Sequence, residues 1–278
     1  MRNASALFRF LAPMIAAGAL LGGCGQTTPP QPYNPDVCGA STLTTPTATT
    51  PTAGQDPATM PPCSVYRNPA TGREEVVVKD IGHTALLIGD SQSAPAAGWP
   101  RQGLTALGYH VYYCGAGGTG FVAANGKTGN YINALERGDW RLPYASPPLV
   151  VIQGGGNDAG TGASDATITA NAERLISTLR QRYPGATLAM IGTLALGSDH
   201  GGGRRTEVDT LLGTVAAKHG IPFVSVGDWM TKYELLKFAK DRVHLDTEGQ
   251  HTLGAILGTK LRDLGLQAKD VQTQAKNG

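Results

Sequence analysis

The chain has little that would commit it to nucleic acid, a metal ion or a membrane span. Its 278 residues carry 23 Lys and Arg against 21 Asp and Glu, a formal charge of +2, and both signs are scattered. No basic cluster is interleaved with aromatics, which argues against nucleic acid as a partner. There are four cysteines, Cys24, Cys38, Cys63 and Cys114, with no Cys-x-x-Cys and no histidine cluster. No structural zinc site is therefore expected, and no other metal or cofactor. The longest apolar stretch, 11–21, is too short to span a bilayer, which takes about 20 residues. Internal repeats are missing as well.

What the N-terminal part does contain is export-like. Arg2 and Arg9 precede the apolar stretch and small residues follow it, so 1–23 reads as a signal peptide. Leu21-Gly22-Gly23-Cys24 resembles a bacterial lipobox, which makes Cys24 the candidate lipid attachment site. An ordinary cleaved signal with an incidental cysteine is the plainer alternative. Residues 24–75 are rich in Pro, Thr, Ala and Gly, and half of the chain's 18 prolines fall between Pro29 and Pro62. With little apolar surface to bury, this stretch is expected to be an extended tether. Export permits disulfides, and Cys38 and Cys63 are the candidates for one bridge, although connectivity cannot be read from sequence. The folded domain is placed at 76–266, followed by a polar tail over 267–278. A monomer is expected, held in the bacterial cell envelope by the lipid and facing the periplasm or exterior.

Within 76–266, apolar runs alternate with helix-like segments, the pattern of a parallel sheet covered on both faces. Strands are expected at 84–89 (TALLIG), 109–113, 149–152, 187–194 and 222–226. Helices are expected near 99–107, 165–182, 204–219 and 248–264, the last capped by Thr247. An amphipathic segment lies at 230–239. Five strands with alternating helices give an α/β fold, a three-layer α/β/α sandwich around a five-stranded, mostly parallel sheet. In such sheets ligands bind beyond the carboxyl ends of the strands. The first three strands end in Asp90-Ser91, in the glycine cluster 115–120, and in Gly156-Asn157.

Ser91 stands where a strand turns toward a helix, and becomes a nucleophile only if a base takes its proton. Of six histidines, His244 has Asp241 three residues earlier, near enough to hold one ring nitrogen while the other faces serine. His251 is the runner-up. Asn157 can donate an uncharged amide hydrogen bond to an oxyanion, or simply cap the turn before 164. The cluster Gly115-Ala116-Gly117-Gly118 lacks the spacing of a dinucleotide fingerprint.

Gly89-Asp90-Ser91, Gly155-Gly156-Asn157-Asp158 and Asp241-Arg242-Val243-His244, in this order, resemble the SGNH (GDSL-type) serine hydrolases. That family's sheet is flavodoxin-like. The resemblance implies Ser91 as nucleophile, His244 as base and Asp241 as its orienting acid. It implies an oxyanion hole of the Ser91 N–H, a glycine N–H and the Asn157 amide, and a structural part for Asp158. Aligning the 115–120 loop favours Gly118 for the glycine, with Gly117 next. The activity implied is hydrolysis of short acyl esters, such as O-acetyl groups, on envelope glycans or lipids through an acyl-enzyme. An envelope acyltransferase would use the same residues, and a non-catalytic glycan-binding lipoprotein would keep only the fold. The loop 120–148 is expected to line the acyl or alcohol pocket. Tyr131, Trp140 and Tyr144 are candidates there either to pack against substrate or to anchor the loop.

Overall fold

The structure is a computed structural model that describes residues 56–269. It opens with a hairpin, β1 (Val65–Arg67) and β2 (Glu74–Val76), antiparallel to each other. Residues 60–75, grouped with the tether on composition, supply buried Met60 and Val65 to the fold beside Val76. The main sheet begins with β3 (Thr84–Gly89), followed by α1 (Trp99–Thr105), β4 (His110–Gly115), α2 (Tyr131–Arg137) and the two-residue strand β5 (Leu142–Pro143). Then come β6 (Leu149–Gln153), α3 (Gly156–Gly160), α4 (Asp165–Arg182) and β7 (Thr187–Ile191). The chain continues through α5 (Gly203–Lys218), β8 (Phe223–Val224), α6 (Trp229–Lys232) and α7 (Thr247–Asp263).

The five-stranded sheet has the order β4-β3-β6-β7-β8, and every pair in it is parallel. Side chains alternate along each strand, so each strand feeds two cores. Leu86, Ile88, Val150, Ile152, Leu188 and Met190 face α2, α4 and α5. Ala85, Leu87, Leu149, Val151, Ala189 and Ile191 face α1 and α7. Strands buried on both faces read as continuous apolar runs, which is why 84–89 and 149–153 are legible. The helices α1 and α7 approach closely through glycines: a methyl group on Gly103 would sit 2.6 Å from Leu257 Cδ2, and one on Gly254 2.7 Å from Gln102 Cβ.

The second sheet, β1-β2-β5, joins the hairpin to a distant strand, pairing Glu75 with Leu142 and Val76 with Pro143. Glu75, only 2% exposed there, is paired with Arg182 at 2.5 Å. Several boundaries differ from the sequence reading. The β7 strand stops at Ile191 because Gly192 and Thr193 turn onto the buried Asp209 carboxylate, which accepts from the Thr193 N–H at 2.9 Å. The segment 230–239 breaks at Glu234, whose left-handed φ of 52° separates α6 from the 3₁₀ turn Leu235–Phe238. The last helix is capped by Asp246, which accepts from the Gly249 N–H at 2.9 Å, and Thr247 is its first residue. Cys63 is disulfide-bonded. Cys24 and Cys38 lie outside the described residues, and Cys114 is a buried free thiol on β4.

Candidate active site

Ser91 projects from a tight turn at the carboxyl end of β3. The turn forms because Asp90 folds back on it: Oδ1 accepts the Gln92 N–H at 2.9 Å, and the carbonyl accepts the Ser93 and Ala94 N–H groups at 3.1 and 3.0 Å. Arg101 on α1 reinforces it, donating Nε to the Ser93 carbonyl at 2.7 Å and Nη2 to the Ala94 carbonyl at 2.9 Å. Ser91 itself is half-buried, held at the apex of the turn.

His244 arrives from 153 residues away, and its Nε2 lies 2.8 Å from Ser91 Oγ. Its Nδ1 lies 2.9 Å from Asp241 Oδ2. The other oxygen, Asp241 Oδ1, accepts the N–H groups of Val243 and His244, both at 2.7 Å. Those bonds, the Val243 N–H foremost and the His244 ring next, pull the Asp241 carboxyl down to about 2. An ionised carboxylate only accepts, so Nδ1 of a neutral His244 must carry the ring proton. Nε2 is then left as an acceptor for the Ser91 hydroxyl.

The other histidines lie elsewhere. His83 has the same spacing to an acid, with Nδ1 2.9 Å from Asp80 Oδ1, but it precedes β3 at the opposite edge of the sheet. His251 pairs with Gln102 Oε1 at 2.6 Å on the outside of α7, and His200 is exposed in the turn Ser198–His200. Among the described residues, His244 is the histidine that reaches Ser91.

The Gly154-to-Asp158 turn sits beside this pair. Gly155 adopts φ +99°, and a side chain there would strike Thr193 Oγ1. Asn157 points back toward the β3 and β4 loops, donating Nδ2 to the Thr119 carbonyl at 2.9 Å with Asp90 Oδ2 at 3.5 Å. The Thr119 bond orients the amide, and the second N–H has only the long contact to Asp90, which a ligand oxygen can displace. Asp158 is fully buried and builds the neighbouring loop: its carboxylate accepts the N–H groups of Phe121, Val122 and Ala123 at 2.9, 2.7 and 2.8 Å. Gly117 and Gly118 are exposed at the rim, and a methyl group on Gly117 would lie 3.6 Å from Ser91 Cβ.

Three aromatics of the 120–148 loop turn out to be anchors. Tyr131 is buried and donates its hydroxyl to the Gln153 carbonyl at 2.9 Å, Trp140 packs beside it, and Tyr144 meets Tyr66 edge-on. Two participants carried no sequence signal. Arg205 lies against Gly156, donating to its carbonyl at 3.3 Å and to Leu194 O at 3.0 Å. Gln153 satisfies its neighbours with its amide nitrogen toward Asp90 Oδ1 and Ser93 Oγ. Among the described residues, no three His, Cys, Asp or Glu side chains are grouped so as to hold a metal ion.

Asp90 is 3% exposed, and burial pushes its carboxyl from 3.8 up to about 6 despite the bond from Gln92 and the field of Arg205. A value raised on folding favours the protonated acid in the native state. Its stabilising contribution is complete below about pH 4 and is lost as pH rises through about 6. The Asp90 carboxyl ¹³C shift is expected to titrate with a midpoint near 6, and a midpoint near 4 would contradict the burial argument. Asp158→Ala strands three N–H groups, those of Phe121 and Ala123 buried and that of Val122 part-buried, at about 1–3 kcal/mol for each buried one. Urea unfolding should show a loss of about 3 kcal/mol or more, and a change below about 1 kcal/mol would contradict this assignment.

The sequence matches the GDSL-like lipase/acylhydrolase family over residues 87–252, more than half of the chain. No curated protein sequence matches it. Among solved structures, it resembles a family two carbohydrate esterase from Cellvibrio japonicus at TM-score 0.52 and 16% identity, covering 66% of this chain and 61% of that one. A Bacillus subtilis protein aligns at TM-score 0.51 and 15% identity, covering 67% and 58%. The aligned part is thus about three fifths of the length of these two proteins, and the likeness is one of fold. The chain belongs to the GDSL-like lipase/acylhydrolase family and is an ester-hydrolysing enzyme.

Proposed function

We propose that the chain is a serine esterase or deacetylase that removes short acyl groups, such as O-acetyl, from cell-envelope glycans or lipids through an acyl-enzyme. The observation that carries this is the unbroken hydrogen-bond chain from Ser91 Oγ through His244 to Asp241, with the Asn157 amide alongside. Ser91 Oγ attacks the ester carbonyl carbon as its proton passes to His244 Nε2, and the C–O π electrons move onto the carbonyl oxygen. Asp241 stabilises the imidazolium through Nδ1–H. The oxyanion is met by the Ser91 N–H, the Asn157 Nδ2–H and a glycine N–H, that of Gly118 with Gly117 beside it. Collapse of the intermediate breaks the ester C–O bond while His244 returns the proton to the leaving alcohol. Water then repeats the sequence on the acyl-enzyme, and its proton restores Ser91.

Two features favour a short acyl group and hydrolysis over transfer. The residues set against Ser91, Gly117 and His244, are small or polar and offer a long alkyl chain no apolar wall. The site is also wet: the His244 side chain is 34% exposed and that of Asp241 53%. Water therefore competes freely with any other acyl acceptor. The export signal at 1–23 and a lipid on Cys24 complete the proposal, placing the domain at the envelope surface; both lie outside the described residues.

On p-nitrophenyl acetate, Ser91→Ala and His244→Ala are expected to lose on the order of a millionfold in kcat. Asn157→Ala should lose roughly a hundred- to a thousandfold. Wild-type turnover by Ser91→Ala would overturn the mechanism. Across a series of p-nitrophenyl esters, kcat/KM should be highest for acetate or propionate. A maximum at dodecanoate or longer would overturn the short-acyl assignment and leave the mechanism standing.

A further inference from the structure

The motif that names the family ends in Leu, and here that place is taken by Gln92. The side chain is 5% exposed, and a buried amide needs partners for both its ends. Gln92 Oε1 accepts the Trp99 indole N–H at 3.0 Å, and Nε2 donates to the Val243 carbonyl at 2.6 Å. Gln250, on α7, makes the matching pair of bonds on the other side. Its Oε1 accepts the backbone N–H of Trp99 at 2.8 Å, and its Nε2 donates to the Leu245 carbonyl at 3.3 Å. His244 lies between those two carbonyls. Both N–H groups of Trp99 can only donate, so each glutamine must turn its oxygen toward Trp99 and its nitrogen toward the loop that carries His244.

We propose that Gln92 and Gln250, both oriented by Trp99, are positioning residues that clamp the carbonyls of Val243 and Leu245, the residues flanking His244, and hold its Nε2 within reach of Ser91. The proposal rests on the reading of Ser91 and His244 as nucleophile and base. The loop is in need of such a clamp, because Lys240, Asp241 and Arg242 are exposed. Its internal bonds shape it without tying it to the serine turn: the Asp241 turn, the Lys240 N–H to the His244 carbonyl, and the bridge between Ala239 and Leu245. Gln92 supplies the tie. Its backbone belongs to the turn that presents Ser91, and its side chain grips the loop that presents the base, 151 residues away. Nucleophile and base thereby share one rigid support, α1 starting at Trp99, which is fully buried. A displacement of about 1 Å at a reacting group is enough to cost on the order of a hundredfold in rate.

Gln92→Met keeps the length of the side chain and removes both hydrogen bonds. On p-nitrophenyl acetate its kcat should fall about ten- to a hundredfold with KM within about twofold, measured on protein shown by circular dichroism to be folded. Second-order labelling by a fluorophosphonate should slow by the same factor, and the His244 Nδ1–H proton resonance should shift or broaden. Gln250→Met, whose bond to the loop is longer, should lose about three- to tenfold. Wild-type kcat and labelling rate in folded Gln92→Met would overturn the clamp; should that variant fail to fold, wild-type kcat in Gln250→Met would do so. Ser91→Ala separates the two readings. Labelling that persists in Ser91→Ala removes the nucleophile assignment itself. Labelling abolished there but unchanged in folded Gln92→Met removes only the clamp.

Discussion

Everything at the candidate site depends on the parallel pairing of β3 with β4 on one side and β6 on the other. Parallel strands deliver all their carboxyl ends to one edge, so the serine turn, the glycine loop and the Asn157 turn meet there although they come from separate stretches of chain. The register is held by two independent cores, one on each face. A one-residue slip of β3 would exchange Leu86 and Ile88 with Ala85 and Leu87 and unseat both cores at once. The position of Ser91 is therefore as rigid as the centre of the sheet.

The carboxylates at that edge divide their labour by environment. Asp158, fully buried, faces three backbone N–H groups and shapes the loop against which Asn157 is set. Asp90, also buried, is only partly compensated, and burial holds its carboxyl near 6. Asp241 lies half in solvent, and its bonds from Val243 and His244 keep it ionised down to about 2. The two carboxylates that build the scaffold are thus sealed from water, while the one that orients the base is left in it. Such an arrangement gives His244 a charged partner at every pH at which an esterase would work, without the desolvation cost of a buried ion.

Much of this was legible in the sequence. Strands buried on both faces appear as unbroken apolar runs, and α4, with its Ser164 cap and apolar stripe, matches its expected span of 165–182. Pairings that depend on distant residues were not legible. The sheet β1-β2-β5 joins residues 75 and 142 through a contact of two residues, too short to leave a period. The aromatics of the 120–148 loop read equally well as substrate contacts or anchors, and only their partners in the fold, Gln153 and Trp140 for Tyr131 and Tyr66 for Tyr144, show them to be anchors. Gln92 carries no mark in the sequence, and its part emerges only when Trp99 and Val243 are brought around it.

The two Asp-x-x-His spacings mark the boundary between what each level decides. The sequence by itself singled out Asp241/His244 by its spacing, although the same spacing recurs at Asp80/His83, because three residues in a turn bring the two side chains together whatever surrounds them. Both pairs do form, each at 2.9 Å. Only the tertiary structure decided which one meets a serine. Asp80 and His83 precede β3 while Ser91 follows it, and a six-residue strand holds its two ends about 20 Å apart. The loop of Asp241 and His244, far away in sequence, folds back to the carboxyl edge, where His244 reaches Ser91.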